Sequence, residues 1–357
     1  MHGAQDPELL VRWVQFGVFS PVMRLHSSNN PFMNKEPWTF SPEKAAVMKD
    51  FLRLRHRLIP WLYSMNLRCS AENTMLLRPL YYDYPQDWGL YFRRRNQYLL
   101  GDCLTVCPVT RPLDRDAQKA ETDAWLPEGL WTDFFSGLRY QGGRQLKLYR
   151  PLETLPVLVK AGGILPMDGV EFPENGVTLP EQILLRLFPA ASGETELLED
   201  NGLLPADPAY RRCVTRVRMT RDEGLTVEIL PPEGETAVLP EGRRYTVELN
   251  GFADVSPDES SAGYTAAYDA RRRALTLSLA QAPCVLHWKT MPEVPALNRL
   301  ERLEELLQAA WISYDLKSAV MQAARQCGND AAFLAQLHTL ALPPALTGAV
   351  LELYSAC

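Results

Sequence analysis

The chain has 357 residues, 46% of them apolar and 22% charged, with a formal net charge of −6. This composition is typical of a globular protein with two or three domains, and the acidic balance argues against the basic face that nucleic-acid binding needs. No apolar run approaches the ~20 residues of a membrane-spanning helix, and no signal peptide is visible at Met1. We therefore expect neither nucleic-acid nor membrane partners.

Seven cysteines are scattered along the chain, and only Cys103 and Cys107 lie close together. Their neighbours supply none of the further ligands that a zinc site requires. Their four-residue spacing places both on one face of a strand, where buried free thiols are the usual case. A reducing compartment agrees with this pattern, so the cysteines predict no zinc site and a cytoplasmic location.

Two helices near the N-terminus are predicted from the same start signal. The tripeptides at 6–8 (DPE) and 41–43 (SPE) each place a capping residue before a proline at the first helical position and an acid in the first turn. Apolar residues follow at helical spacing, up to Gly17 in the first helix and Leu62 in the second. Pro60 should kink the second helix near its end.

Between these helices, residues 21–26 (PVMRLH) predict a short buried strand. Because side chains alternate along a strand, Arg24 and His26 would share one face. An unpaired charge is costly to bury. The strand therefore needs either a core rich in carboxylates or a bound ligand beside these two side chains.

From Met75 onward, short strand-like runs alternate with glycine and proline turns, which is typical of β-sandwich domains. The first set of runs is 76–84, 104–109, 125–129, 131–135, 145–148 and 157–160. The second set is 183–187, 194–198, 214–220, 225–230, 245–249, 274–279 and 285–288. Beyond residue 292 the apolar spacing is helical, which predicts a tail that packs on the rest of the protein or, as the alternative, binds a partner.

Residues 12–28 (RWVQFGVFSPVMRLHSS) resemble glycoside hydrolase family 31, the α-glucosidase and α-xylosidase family. The resemblance continues in further short motifs, at 36–38 (EPW), 55–63 (RHRLIPWLY), 78–82 (RPLYY), 97–101 (QYLLG), 151–152 (PL), 156–166 and 199–202 (EDNG). It implies four parts: the end of a (β/α)8 TIM barrel at 1–74 (helix 7, strand 8, helix 8), a proximal β-sandwich at 75–168, a distal β-sandwich at 169–291, and a helical tail at 292–357.

The resemblance also implies roles for the strand at 21–26. His26 would hydrogen-bond the sugar at the barrel mouth, and Arg24 would pair with acidic groups inside the barrel. The family hydrolyses with retention through two aspartates and without a metal or an organic cofactor. The resemblance implies that both aspartates are placed on earlier barrel strands, upstream of this chain. Four acids considered as substitutes are better explained by a helix start, a loop or a turn, namely Asp6, Glu8, Glu36 and Asp102. No catalytic residue is therefore predicted here.

Alternative interpretations remain open at this point. His26 could be a core histidine whose hydrogen bonds are satisfied, and the acidic pair Glu199-Asp200 could bind calcium or only shape a turn. The whole chain could be a non-catalytic carbohydrate-binding or protein-interaction module rather than part of an enzyme that takes an oligosaccharide or glycoside substrate. Because the two aspartates are not found here, we expect the isolated chain to be inactive. An incomplete barrel would also expose apolar faces, so we expect the isolated chain to self-associate.

Overall fold

The computed structural model describes residues 6–26, 29–86, 96–173 and 178–357. Its N-terminal part contains three helices, which are α1 (Pro7–Val18), α2 (Pro42–Arg57) and α3 (Ile59–Glu72), and a short 3-10 turn at Pro37–Thr39. The predicted start of α1 is confirmed, because the Asp6 carboxylate accepts hydrogen bonds from the backbone N–H groups of Glu8 and Leu9. The predicted kink at Pro60 is a full break between α2 and α3, since proline offers no N–H to the preceding turn.

The predicted strand at 21–26 is not present. These residues have no strand hydrogen bonding, and most of their side chains are exposed. A strand requires a neighbour to pair with, and among the described residues no other segment lies beside this one in a sheet. The prediction of a buried, paired strand was therefore wrong for this chain, although the apolar pattern that suggested it is real.

In the residues that the structure describes, the proximal domain has eight strands and one short helix. The strands are β1 (Leu77–Pro79), β2 (Tyr98–Leu100), β3 (Leu104–Val106), β4 (Ala120–Leu126), β5 (Leu130–Asp133), β6 (Arg139–Gln141), β7 (Arg144–Arg150) and β8 (Val157–Lys160). Six of them form a sheet in the order β1-β2-β3-β8-β5-β6, and β4 pairs with β7. The run predicted as a strand at 76–84 turns into helix α4 (Leu80–Asp83) directly after Pro79.

The distal domain is a sandwich of two sheets. One sheet has the order β17-β18-β15-β10-β9 and the other β11-β12-β13-β19-β16, with β14 beside β12. The strands are β9 (Ile164–Asp168), β10 (Gln182–Leu187), β11 (Gly193–Asp200), β12 (Arg212–Arg221), β13 (Leu225–Ile229), β14 (Glu233–Gly234), β15 (Arg244–Asn250), β16 (Glu259–Ser260), β17 (Tyr264–Asp269), β18 (Ala274–Leu279) and β19 (Cys284–Trp288). A short 3-10 turn lies at Thr236–Val238.

The boundary between the two β domains lies earlier than the predicted position after residue 168. Strand β9 pairs with β10 over its whole length and so belongs to the distal sheet. Its side chains are divided, because Leu165 and Met167 enter the core that the proximal domain shares with the N-terminal helices, whereas Ile164 enters the distal core. Strand β9 therefore contributes side chains to both hydrophobic cores and joins the two domains.

The N-terminal helices and the proximal domain share one hydrophobic core. Val14 of α1, Phe51 of α2 and Trp61 of α3 are buried together with Leu100 and Val157. Trp61 lies directly over Gly101, which has a φ of +62°, and a Cβ there would come within 2.5 Å of the indole ring. The glycine is therefore required both by its left-handed backbone and by the tryptophan.

Four helices make the tail, which are α5 (Arg299–Ala309), α6 (Tyr314–Gln326), α7 (Asp330–Leu337) and α8 (Pro344–Ser355). The tail packs on the proximal domain as predicted, with α8 lying against β7. A buried ion-pair network joins them: the Arg150 guanidinium lies 2.9 Å from Asp133 and 2.6 Å from Glu352 of α8. Within the described part of the chain, no helix combines the length and the apolar character needed to cross a membrane.

Candidate functional site

The two residues predicted to contact substrate both lie on the surface. The side chains of Arg24 and His26 are exposed. Among the described residues, no carboxylate lies within ion-pair distance of Arg24. The acidic partner that the sequence led us to expect for Arg24 is therefore not supplied by the described parts of this chain.

The backbone of this segment is anchored, although most of its side chains are exposed. The Arg55 guanidinium of α2 donates to the carbonyl oxygens of Val18 (3.0 Å), Ser20 (2.5 Å) and Pro21 (2.9 Å). Burial lowers the pKa of Arg55. At the other end, Lys35 Nζ donates to the carbonyl oxygen of His26. Both ends of the segment 21–26 are thus positioned before any ligand is present.

The first residues of the family-like motif fasten α1 to the proximal domain. Arg12 Nη1 donates to the carbonyl oxygens of Pro151 (3.1 Å) and Thr154 (2.8 Å), and Gln15 Nε2 donates to that of Leu152 (2.5 Å). Burial lowers the pKa of Arg12 to about 10, against the opposing effect of Glu8. The sequence carried a signal for this contact, because two polar residues three positions apart share one face of an otherwise apolar helix.

Large apolar side chains are exposed around the same segment. The exposed fractions are 62% for Trp13, 85% for Val22, 85% for Phe32 and 80% for Trp38. Large exposed apolar side chains are typical of regions that contact another protein surface or a ligand. We call these four residues the N-terminal apolar face.

The acids considered as possible catalytic groups all have structural partners. Asp6 caps α1, and a Glu8 carboxylate oxygen accepts from Leu113 N at 2.9 Å. Glu36 accepts from Lys35 N at 3.0 Å, and Asp102 lies 2.9 Å from Arg68. Their geometry is explained without a catalytic role.

The acidic pair in the distal domain also has a structural explanation. Asp200 accepts from the hydroxyl groups of Tyr63 and Tyr210, the latter at 3.2 Å, and from Gly202 N at 2.9 Å. Glu199 is buried in an ion pair with Arg243; burial raises the pKa of Glu199, while Arg243 opposes that rise. No group of three possible metal ligands occurs among the described residues. The turn interpretation of this pair therefore fits better than calcium binding.

Comparison with known families identifies two consecutive segments. Residues 2–65 match the glycosyl hydrolases family 31 TIM-barrel domain. Residues 73–165 match the glycosyl hydrolase family 31 C-terminal domain. The first segment contains α1, the segment 21–26, α2 and the first half of α3, and the second corresponds to the proximal domain.

Curated relatives share these segments and are much longer. An alpha-xylosidase of Saccharolobus solfataricus is 33% identical over 197 residues, which are 55% of this chain and 26% of the relative. Neutral alpha-glucosidase C of Mus musculus is 32% identical over 204 residues, which are 56% of this chain and 22% of the relative. This chain thus spans about a quarter of the length of the curated relatives that it matches.

Solved structures extend the similarity to most of the fold. A GH31 alpha-xylosidase of Xanthomonas citri is 27% identical, with a TM-score of 0.58 over 68% of this chain and 26% of that chain. A GH31 dextranase of Flavobacterium johnsoniae, complexed with glucose, has a TM-score of 0.64 over 79% of this chain and 37% of that chain; at 24% identity it shows the fold alone. This chain therefore carries glycosyl hydrolase family 31 sequence from the TIM-barrel domain and the C-terminal domain, as its motifs had indicated.

Proposed function

We propose that this chain supplies the C-terminal portion of a retaining α-glucosidase-like glycoside hydrolase that acts on terminal α-linked glucose or xylose. The observation that carries the proposal is the continuous match of residues 2–65 and 73–165 to two successive domains of one glycosidase family. The names of the relatives, an alpha-xylosidase and an alpha-glucosidase, support this choice of sugars.

Retaining hydrolysis needs one carboxylate as nucleophile and a second as general acid and base, about 5–5.5 Å apart. We assign neither role to a residue of this chain, since the acids weighed for them cap a helix, form ion pairs or accept backbone hydrogen bonds. Both aspartates would come from earlier barrel strands that are not among these 357 residues. The chain by itself would then bind sugar weakly and leave the glycosidic bond intact.

His26 would contribute a hydrogen bond to the sugar, and Arg24 would support the site by pairing with barrel carboxylates. Their exposure supports this proposal, because neither side chain is used by the described residues around it. The anchors at Arg55 and Lys35 hold the backbone so that the two side chains can meet a surface placed over the N-terminal apolar face. Burial of Arg24 there would require such an acidic partner.

The first test is hydrolysis by the chain alone. With 4-nitrophenyl α-D-glucoside and the matching α-D-xyloside, we expect no release of nitrophenol by the purified 357-residue protein. The proposed inactivity would be overturned if the chain releases nitrophenol, if His26→Ala abolishes that release, and if His338→Ala keeps it. His338 is an exposed histidine of the tail. The coding DNA directly before Met1 gives a second test: an in-frame extension with barrel strands and two aspartates supports the proposal, and a ribosome-binding site there contradicts it.

The third test applies to the extended protein, which would include the earlier barrel strands. His26→Ala should lower kcat/KM by at least about tenfold, the loss expected for a hydrogen bond made in the transition state. His338→Ala should leave it unchanged. NMR of the first-formed anomer should show retention, and an inverted product would contradict the two-aspartate mechanism.

A non-catalytic role remains the second candidate, and the exposed Trp13 and Trp38 favour it. Aromatic rings on a surface can stack on sugars or on another protein. If the chain alone binds isomaltose in calorimetry, and Trp38→Ala abolishes that binding, a carbohydrate-binding module becomes the better description.

A further inference from the structure

Helix α8 of the tail supplies a buried carboxylate, that of Glu352, to the proximal domain. One of its oxygens accepts from Tyr140 Oη at 2.7 Å and from Arg150 Nη1 at 2.6 Å. The other oxygen accepts from Tyr149 N at 2.7 Å. A Cβ on Gly348, one helical turn earlier, would lie 2.0 Å from the Tyr149 hydroxyl oxygen, so α8 approaches β7 closely. Three donors of the proximal domain therefore depend on a helix that neither family match includes.

Arg150 connects this carboxylate to the turn that follows β5. Its Nη2 donates to Asp133 Oδ2 at 2.9 Å. The other oxygen of Asp133 accepts from Phe135 N at 3.1 Å and from Ser136 N at 2.7 Å. One carboxylate thus pairs with Arg150 and also caps the turn. Asp133 and Glu352 are both buried, so removing either one leaves buried donors without an acceptor, which is costly.

The turn after β5 contacts Phe19, which lies two residues before the segment 21–26. Phe19 is fully buried, and its ring meets those of Phe134 and Phe135 edge-on at centroid distances of 6.1 and 6.2 Å. The Phe135 ring also lies 5.6 Å from that of Phe51 in α2. The energy of such aromatic pairs depends on how the rings are placed. A displaced turn would therefore displace the residue from which the segment starts.

A second loop, at residues 150–154, begins at Arg150 and holds α1. Arg12 and Gln15 of α1 donate to carbonyl oxygens of this loop. Arg12 Nη2 also lies 3.4 Å from the carbonyl oxygen of Arg150 itself. The residue whose side chain binds the tail carboxylate thus meets α1 with its backbone. Both loops that hold the start of the segment therefore begin at one ion-pair network, which α8 completes.

We propose that Glu352 is a positioning residue for the segment that carries His26. Its carboxylate fixes Arg150 and, through Arg150, Asp133, and the loops that begin at these two residues hold α1 and Phe19. Loss of this acceptor would loosen α1, while the tail would stay docked through its apolar core. The inference rests on the proposed function only for the role of His26, because the contacts from α8 to α1 do not depend on any substrate.

The test measures amide hydrogen exchange of the 357-residue chain, peptide by peptide, in mass spectrometry. Glu352→Met removes the acceptor at nearly constant volume. We expect it to speed exchange in α1 at least about tenfold, the effect of losing one hydrogen bond to a charged group. Glu352→Gln keeps one acceptor oxygen and should speed this exchange less. Leu346→Ala truncates a fully buried side chain of α8 in the core of the tail, and it should speed exchange in the tail alone.

A further variant breaks the same network from the proximal side, in case Glu352→Met folds poorly. Asp133→Asn can keep one oxygen toward the turn but presents an amide donor to Arg150, so it should also speed exchange in α1. The inference is overturned if α1 exchanges at the parent rate in the variants of Glu352 and Asp133. It is also overturned if Leu346→Ala speeds exchange in α1 as much as Glu352→Met does.

The extended protein separates this inference from the proposed function. Glu352→Gln should lower kcat/KM several-fold, and it should cause no further loss in a His26→Ala background, because it acts through that side chain. An equal loss with and without His26 would overturn the positioning role. If α1 exchanges faster but the extended protein hydrolyses neither α-glucosides nor α-xylosides, the proposed function fails, whereas the bracing of α1 by Glu352 stands.

Discussion

The distal sandwich buries its large apolar side chains and pairs its buried charges, whereas the N-terminal segment leaves large apolar side chains exposed. In the distal sandwich Trp288, Val247 and Phe252 are fully buried between two sheets, and the buried Arg186 is paired with Glu248 at 2.7 Å. In the N-terminal segment Trp13, Phe32 and Trp38 are mostly exposed. The sandwich completes its own core, whereas the N-terminal segment has a core on one side only.

The largest difference between the two regions should appear on truncating a tryptophan. Trp288 is enclosed in the distal core, lies 5.3 Å from Phe252 and donates from Nε1 to the carbonyl oxygen of Val255 at 2.8 Å. Trp288→Ala should lower the free energy of unfolding by about 3–5 kcal/mol, through lost burial and an unfilled cavity. Urea unfolding followed by circular dichroism measures this. A loss below about 1 kcal/mol would mean that the sandwich is not the rigid region.

The second largest change in stability should come from the buried ion pair of the distal sandwich, Arg186 with Glu248. Burial alone would raise the pKa of Glu248, but Arg186 and Arg272 together lower it to about 2. Burial also lowers the pKa of Arg186 to about 10, so Arg186 stays charged at neutral and acidic pH. The ion pair is therefore intact wherever Glu248 is ionised. Because the folded pKa lies below the ordinary value of 4.5, this contribution is complete above about pH 4.5 and is lost as pH falls toward 2.

The amount involved is roughly 3 kcal/mol, which unfolding free energies measured between neutral pH and pH 3 should show in large part. Glu248→Gln should flatten that acid dependence. Glu181→Gln, which changes an exposed carboxylate nearby, is the control and should keep it. An unchanged slope in Glu248→Gln would show that the pair does not couple to folding.

A smaller effect tests the contact between the two regions. The hydroxyl group of Tyr63 on α3 donates to Asp200 at the end of β11. Tyr63→Phe should cost about 1 kcal/mol, the net contribution of one such hydrogen bond. Tyr314→Phe is the matched control because Tyr314 is 85% exposed. Equal stability of the two variants would show that the distal sandwich and α3 are not coupled through this contact.

The smallest change in stability is expected on the N-terminal apolar face. Replacing Trp13 and Phe32 together by serine should alter the unfolding free energy by no more than about 0.5 kcal/mol. It should, however, reduce self-association of the isolated chain in light scattering. Leu204→Ser, at a distal side chain that is 78% exposed, should leave association unchanged. A parent chain that is already monomeric in light scattering would contradict the interpretation that the N-terminal apolar face causes self-association.

Sequence patterns predicted the elements that depend on local chemistry. The cap at Asp6 follows from capping chemistry, strand β8 from a short apolar run and strand β18 from alternation. Elements that depend on a neighbour were predicted less well. The pattern at residues 21–26 predicted a strand, yet the described residues provide no partner for it. Strand β17 was missed, because it lies at a sheet edge and most of its side chains are exposed.

The candidate site shows the same division. The resemblance directed attention to Arg24 and His26, and their roles remain predictions because they depend on a surface that the described residues do not provide. Arg12 and Gln15 were not singled out, although they contact the proximal domain directly.

The Arg55 contact has one geometric consequence. A single guanidinium binds the carbonyl oxygens of Val18, Ser20 and Pro21 and thereby fixes the origin of a short arm at Pro21. His26 comes five residues later, so its backbone can lie no more than about 18 Å from that origin even when the arm is fully extended. The reach of the His26 imidazole is therefore limited by Arg55 of α2 at one end of the arm and by Lys35 at the other. Any sugar that His26 contacts must lie within that reach.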